Sequence, residues 1–138
     1  MPLTNNYPDL DGFNLKAFSV VADDATPAVV GQNSIPTVAR AVVVTGVTND
    51  ANDWVTLPPI ADVPLGHQIT ILANASSNFE LRTPASSNTK INDVDSDGSQ
   101  EYLVTDTDAV VVTKVTSTAW IGVSYTKLGA VRTAVIPD

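Results

Sequence analysis

The feature that most restricts this chain is the grouping of its apolar residues. They come in short β-branched runs, each ended by turn residues: RAVVVTGVT (Arg40–Thr48), HQITILA (His67–Ala73), FELRT (Phe79–Thr83), DAVVVTKVTS (Asp108–Ser117) and WIGVSYTK (Trp120–Lys127). Val and Ile are stiff at χ1 and suit a pleated surface better than a helix. No segment of useful length repeats its apolar residues with the helical period. Within the runs the strand period of two is visible. Ile69 and Ile71 share a face. Phe79 and Leu81 point one way, Glu80 and Arg82 the other, and Ile121, Val123 and Tyr125 fall together. Pro58, Pro59, Pro64 and Pro84 lie between runs, where a missing backbone donor does no harm. With WVTL, the stub KI and EYLV added, about seven or eight short strands are predicted. The expected fold is all-β, an antiparallel β-sandwich or jelly-roll-like barrel.

The chain divides unevenly. Residues 1–38 carry Pro2, Pro8, Pro27 and Pro36 with Asn, Asp and Gly between them, and only NLKAFSVVA (Asn14–Ala22) reads as one strand. Proline favours extended backbone before and at its own position. The expectation is an extended N-terminal arm that orders against a neighbouring subunit or a larger surface, with Tyr7, Leu10, Phe13, Leu15 and Phe18 as its anchors. Residues 39–138 form the β domain, and the tail GAVRTAVIPD reads as a last strand, in this sheet or a neighbour's.

A length of 138 residues fits one domain. The formal charge is −8 with only seven Lys and Arg, so a basic stripe for nucleic acid or for an anionic membrane surface is lacking. Cysteine is absent, which excludes disulfides, thiolate metal sites and cysteine nucleophiles. MPLTNNYPDLDG has neither the basic start nor the apolar stretch of a signal peptide, and no apolar run is long enough to span a membrane. Synthesis in the cytoplasm of the producing cell is expected.

The most conspicuous chemical motif is INDVDSDGSQEYLV (Ile91–Val104). Asp93, Asp95, Asp97 and Gly98 match the opening positions of a calcium loop and Glu101 falls at the ninth, but Val104 stands where a bidentate Glu belongs. Strands flank the loop, not helices. Asn, Asp, Ser and Gly are also the residues a hairpin loop uses for its own hydrogen bonds. These four acidic residues are a weak metal candidate, and no cofactor is expected. His67 is the only histidine, and no G-x-S-x-G motif offers it a nucleophile. It is expected to face solvent or cap a turn at a strand start. Gly46, Gly66 and Gly98 are isolated and form no phosphate loop. Trp54 and Trp120 sit within strand patterns, which favours core or interface packing over an exposed sugar platform. An enzyme is not expected.

One arrangement goes further. A V-x-LP segment leads through a short loop to Gly66. A strand then ends in Asn74 (ILAN), FELRTP carries an apolar-x-apolar-x-x-Pro pattern, Ile91 and Asn92 open a loop, and a Val-rich strand precedes Trp120. From about Ala41 to Val123 this resembles a small β domain of tailed-bacteriophage virion proteins, found in head decoration (cement) proteins and in head- or tail-fibre modules. The resemblance implies a non-enzymatic structural protein, usually a homotrimer, on the outer surface of the capsid. There such proteins clamp neighbouring major capsid proteins. A receptor- or glycan-binding module of a head or tail fibre is the alternative. The matched positions read as fold determinants: Gly66 and Asn92 for turns, Leu57, Ile91 and Trp120, with Trp54, for core or trimer packing. The pattern usually has Gly after the Ile-Asn pair, where this chain has Asp93 and a longer acidic loop. Calorimetric titration with calcium is expected to show no tight binding, whereas tight binding with a rise in melting temperature would restore the metal site.

Overall fold

The computed structural model describes residues 17–24, 28–48, 53–75, 77–85, 87–92 and 102–132. Of the expected site residues, Tyr7, Leu10, Phe13, Leu15, Asp93, Asp95, Asp97 and Glu101 lie outside them.

The described chain is all-β, with ten strands: β1 (Phe18–Ala22), β2 (Ala41–Val47), β3 (Trp54–Thr56), β4 (Gln68–Ala73), β5 (Phe79–Arg82), β6 (Lys90–Ile91), β7 (Tyr102–Val104), β8 (Ala109–Lys114), β9 (Ala119–Tyr125) and β10 (Val131–Arg132). Four of the ten, β3, β6, β7 and β10, have only two or three residues. Among the described residues the only helical element is one 3-10 turn at Ile60–Asp62. A large sheet has the order β1-β2-β4-β8-β9-β10, with β6 also on β9, and a small sheet has the order β3-β5-β7.

The expected purely antiparallel pattern is corrected. β1 runs parallel to β2, β2 to β4, β3 to β5, and β6 to β9. From β2 to β8 the chain changes sheet at every strand, and β2 with β4 and β3 with β5 return as parallel neighbours, whereas β7 returns antiparallel to β5. Only β8-β9-β10 follow one another as antiparallel neighbours. Turn residues mark where a strand stops, but they do not say which sheet receives the next one.

The division of the chain also moves. The described part of the expected arm is built into the domain. β1 is an edge strand of the large sheet, and Val20, Ala22, Asn33, Ser34 and Ile35 are buried. The backbone of residues 33–35 continues along β3 through Ile35 N–H to Thr56 O and Thr56 N–H to Asn33 O, both 2.8 Å. Phe18 is half-buried against the core. It is held by its own strand.

Both sheets contribute to one core, in which Trp120, Phe79, Leu57, Ile69 and Ile71 are fully buried and Ile91 nearly so. Each such aliphatic or aromatic side chain contributes roughly 1.5–3 kcal/mol of transfer free energy. Leu57, Ile91 and Trp120 are therefore core residues of the single chain. Gly66 has φ +81° and Asn92 φ +51°, the left-handed turns anticipated at those positions. The Pro-rich stretch between β3 and β4 covers one end of the core with Ile60 and Val63, and Lys114 Nζ ties it down by donating to Ile60 O and Val63 O at 2.8 Å each.

On β9 the buried face is Trp120, Gly122 and Ser124, while Ile121, Val123 and Tyr125 point outward. The two sheets meet closely here. A Cβ on Gly122 would stand 3.3 Å from Ile91 Cγ2 and 3.4 Å from the Tyr102 ring, and the Tyr102 hydroxyl lies 2.6 Å from Ser124 Oγ. Gly122→Val is expected to push Tyr102 off β9 and break that hydrogen bond, costing about 1–3 kcal/mol as overpacking does, measured as a lower urea midpoint at unchanged slope.

Candidate interaction surfaces

The two sheets turn very different outer faces to their surroundings. On the small sheet, register places Trp54, Glu80 and Leu103 in one row and Thr56 with Arg82 in the next. Arg82 donates to Glu80 Oε2 from Nε at 2.9 Å and from Nη2 at 2.5 Å, and its guanidinium lies 4.1 Å from the centre of the Trp54 ring. Stacking and charge pairing satisfy the cation together, so Glu80 is buried although it faces away from the core. This face is sealed by its own side chains. Trp54 belongs to that seal, half-buried on the outer face of the small sheet.

The large sheet has no such seal. Its outward rows follow from the pairing: Ala41–Thr70–Val111–Val123, then Val43–Leu72–Ala109–Tyr125–Val131, then Gln68–Thr113–Ile121. None of these side chains is charged, in a protein with 22 acidic and basic residues. Leu72 and Ile121 are each 46% exposed and Val131 is 67% exposed. Within these rows Gln68 Nε2 donates to Thr113 Oγ1 at 3.0 Å. Lys90, on the short edge strand β6, stands at the rim level with Ala119. The signal for this face is present in the sequence. AVVV occurs in both β2 and β8, and such a run must place Val on both sides of the sheet.

The edges are managed locally. Asn92 ends β6 and turns its side-chain amide onto β9, with Gly122 N–H donating to Oδ1 at 3.0 Å and Nδ2 donating to Gly122 O at 2.7 Å. At the opposite edge Val21 N–H donates to Gln32 O, 3.0 Å.

Catalytic or metal chemistry finds little support among the described residues. No three His, Asp or Glu side chains converge as metal ligands would. An open depression of about 280 Å³ beside β1 is lined by Ser19, Val21, Asp23, Gln32, Asn33 and Thr45. Asn33 already spends its amide on Val29 N–H at 2.8 Å and Asp23 O at 3.2 Å.

His67 overturns its expectation. It is 3% exposed, and Nε2 donates to Ala39 O at 3.1 Å, since a carbonyl can only accept. That leaves Nδ1 without a proton, and it is buried with no hydrogen-bond partner. Burial lowers its pKa below 6.5 most strongly. The positive charges of Arg40 and Lys114 lower it further, against the raising effect of the Ala39 bond. A single histidine beside Gly in the sequence carries no signal of this. Burial comes from the packing of residues 36–40 and of the β3–β4 connection around it.

Comparison of the chain with protein-family models, with curated proteins and with solved structures finds no match.

A histidine with a lowered pKa contributes stability that is present above pH 6.5 and lost as pH falls below it toward the folded value. The melting temperature is therefore expected to drop between pH 7 and pH 5, with stability falling by at most about 1.4 kcal/mol per pH unit. His67→Gln is expected to flatten that dependence, and an equally steep profile in the variant would show that another group is responsible.

Proposed function

We propose that this chain is a structural virion protein: a capsid decoration (cement) protein that binds the outer surface of a phage head as a homotrimer and stabilises contacts between major capsid proteins. Its two sheets would be stacked as a sandwich. Residues before β1, with Tyr7, Leu10, Phe13 and Leu15, would serve as the attachment arm. The observation that carries the reading is the uncharged outer face of the large sheet. A catalytic groove gathers polar and titratable groups, whereas a broad apolar face serves to meet another protein. The likeness of Ala41–Val123 to phage virion β domains supplies the setting. A cement protein needs several simultaneous contacts and no chemistry, and three arms on one trimer bind far more tightly than one. The absence of a basic patch on the chain fits a partner that is protein and not nucleic acid.

Phage particles that lack this protein are expected to lose resistance to heat and osmotic shock, and added protein is expected to restore it. Particles that keep their strength but stop adsorbing to cells would favour the fibre module instead, and particles unchanged in both respects would refute a virion role.

A further inference from the structure

We infer that the connection between β3 and β4 is an acid-released strap: protonation of His67 frees residues 59–66 from the end of the core while the two sheets stay folded.

The strap is held by few bonds. Ile60 and Val63 are buried, whereas Pro59, Ala61, Asp62, Pro64, Leu65 and Gly66 are exposed. Pro59 and Pro64 have no N–H to give to a sheet. Its backbone bonds are local ones, Asp62 N–H to Pro59 O and His67 N–H to Pro64 O, both 3.0 Å. Two things fasten it to the large sheet. One is Lys114 Nζ, which donates to Ile60 O and Val63 O. The other is the joint at its end, where Gly66 N–H donates to Lys114 O and Lys114 N–H to His67 O, both 2.9 Å. An irregular segment held in this way opens at lower cost than the strand ladders beside it.

His67 sits in that joint. Its ring is buried, Nε2 donates to Ala39 O, and Nδ1 has no hydrogen-bond partner. A proton on Nδ1 creates a second N–H with no acceptor and a positive charge inside the protein. The charged groups that act on the ring are Arg40, just before β2, and Lys114, at the end of β8. Both are cations, and Asp62, the one acid of the strap, is exposed. The imidazolium is therefore met by repulsion and by an unfilled bond, and both are relieved by opening to water.

Two segments cover His67, and the bonding decides which of them leaves. Ala39 O accepts from Nε2 in either protonation state, so residues 36–40 keep their bond to the ring. Lys114 is the fastening of the strap, and the new charge arises on the residue whose backbone it pairs with. The sign follows from burial. Neutral His67 favours the closed strap above pH 6.5, and closure is lost as pH falls from 6.5 toward the lowered pKa of the folded state.

Amide hydrogen exchange of the full-length protein, followed by NMR from pH 7 to pH 5, tests this. Protection of the Asp62, Gly66 and His67 amides is expected to fall below pH 6.5 by up to about tenfold per pH unit. It is expected to be weaker than in β4 and β8 throughout and insensitive to low urea, because a local opening exposes little surface. His67 is the only histidine, so its ring signal is unambiguous and is expected to titrate below pH 6.5. His67→Gln keeps a donor for Ala39 O but cannot be charged, and is expected to hold the strap's protection level down to pH 5. Arg40→Gln, at an exposed position, removes one of the two cations and is expected to shrink the loss of protection between pH 6.5 and pH 5. Strap protection that is constant with pH in the wild type, or that falls equally in His67→Gln, would overturn the inference. So would strap amides that match β4 and β8 in protection and in urea dependence, since the whole molecule would then be opening. Loss confined to the Ala39 amide, which donates to Pro36 O at 3.0 Å, would also overturn it and place the opening in residues 36–40.

Discussion

Everything in this fold follows from one constraint on the chain path: between β2 and β8 each strand lies in the other sheet from the one before it. The β3–β4 connection accordingly passes over one end of the core and buries apolar residues there. They are Ile60 and Val63, and Lys114 satisfies the carbonyls that this exposes to the interior. The path also sets β2 parallel to β4 and β3 parallel to β5, with no α-helix among the described residues. A parallel sheet ordinarily gains its second cover from crossover helices. Here the crossover is a strand of the facing sheet, so among the described residues the crossover material lies on the core side.

The two outer faces are two solutions to the same problem of what a sheet shows to its surroundings. The small sheet uses a charge pair stacked on an aromatic ring, which lets Glu80 be buried on an outside face because Arg82 and Trp54 enclose it. The large sheet leaves valine, leucine, isoleucine and tyrosine in neighbouring rows. Had its role been only to remain soluble, one lysine per row would have sufficed at small cost in stability. The difference between the faces within one molecule argues more strongly than the apolar content of either.

Strand existence was readable in the sequence because β-branched runs, proline and turn residues act locally. Ile69, Ile71, Leu57 and Trp120 went to the core as periodicity required. What depended on tertiary path was not readable. Strand direction is set by which sheet a loop crosses to, and nothing in VTNDAND or NASSN encodes that. Ile121, Val123 and Tyr125 share one side of β9, as alternation required, but alternation alone does not say which side faces the core. The inside belongs to Gly122 and Ser124, because the Tyr102 ring needs the space over the glycine and its hydroxyl needs the serine. His67 departed from its expectation for the same reason: burial of a lone polar side chain is decided by what the rest of the chain packs over it. The acidic residues from Asp93 to Glu101 lie beyond the described residues, and the sequence argument about them stands alone.

Asn92 has a consequence for assembly as a whole. By offering one carboxamide to both the N–H and the C=O of Gly122, it imitates a single residue of an adjoining strand. β6 occupies the β9 edge before it and β10 occupies it beyond. Through this arrangement no run of free backbone is left along β9 for another strand to join. Sheets that extend edge to edge can grow without limit, whereas those that meet through their faces stop once each face is covered. A side chain that closes an edge in this way removes one template for strand addition from β9.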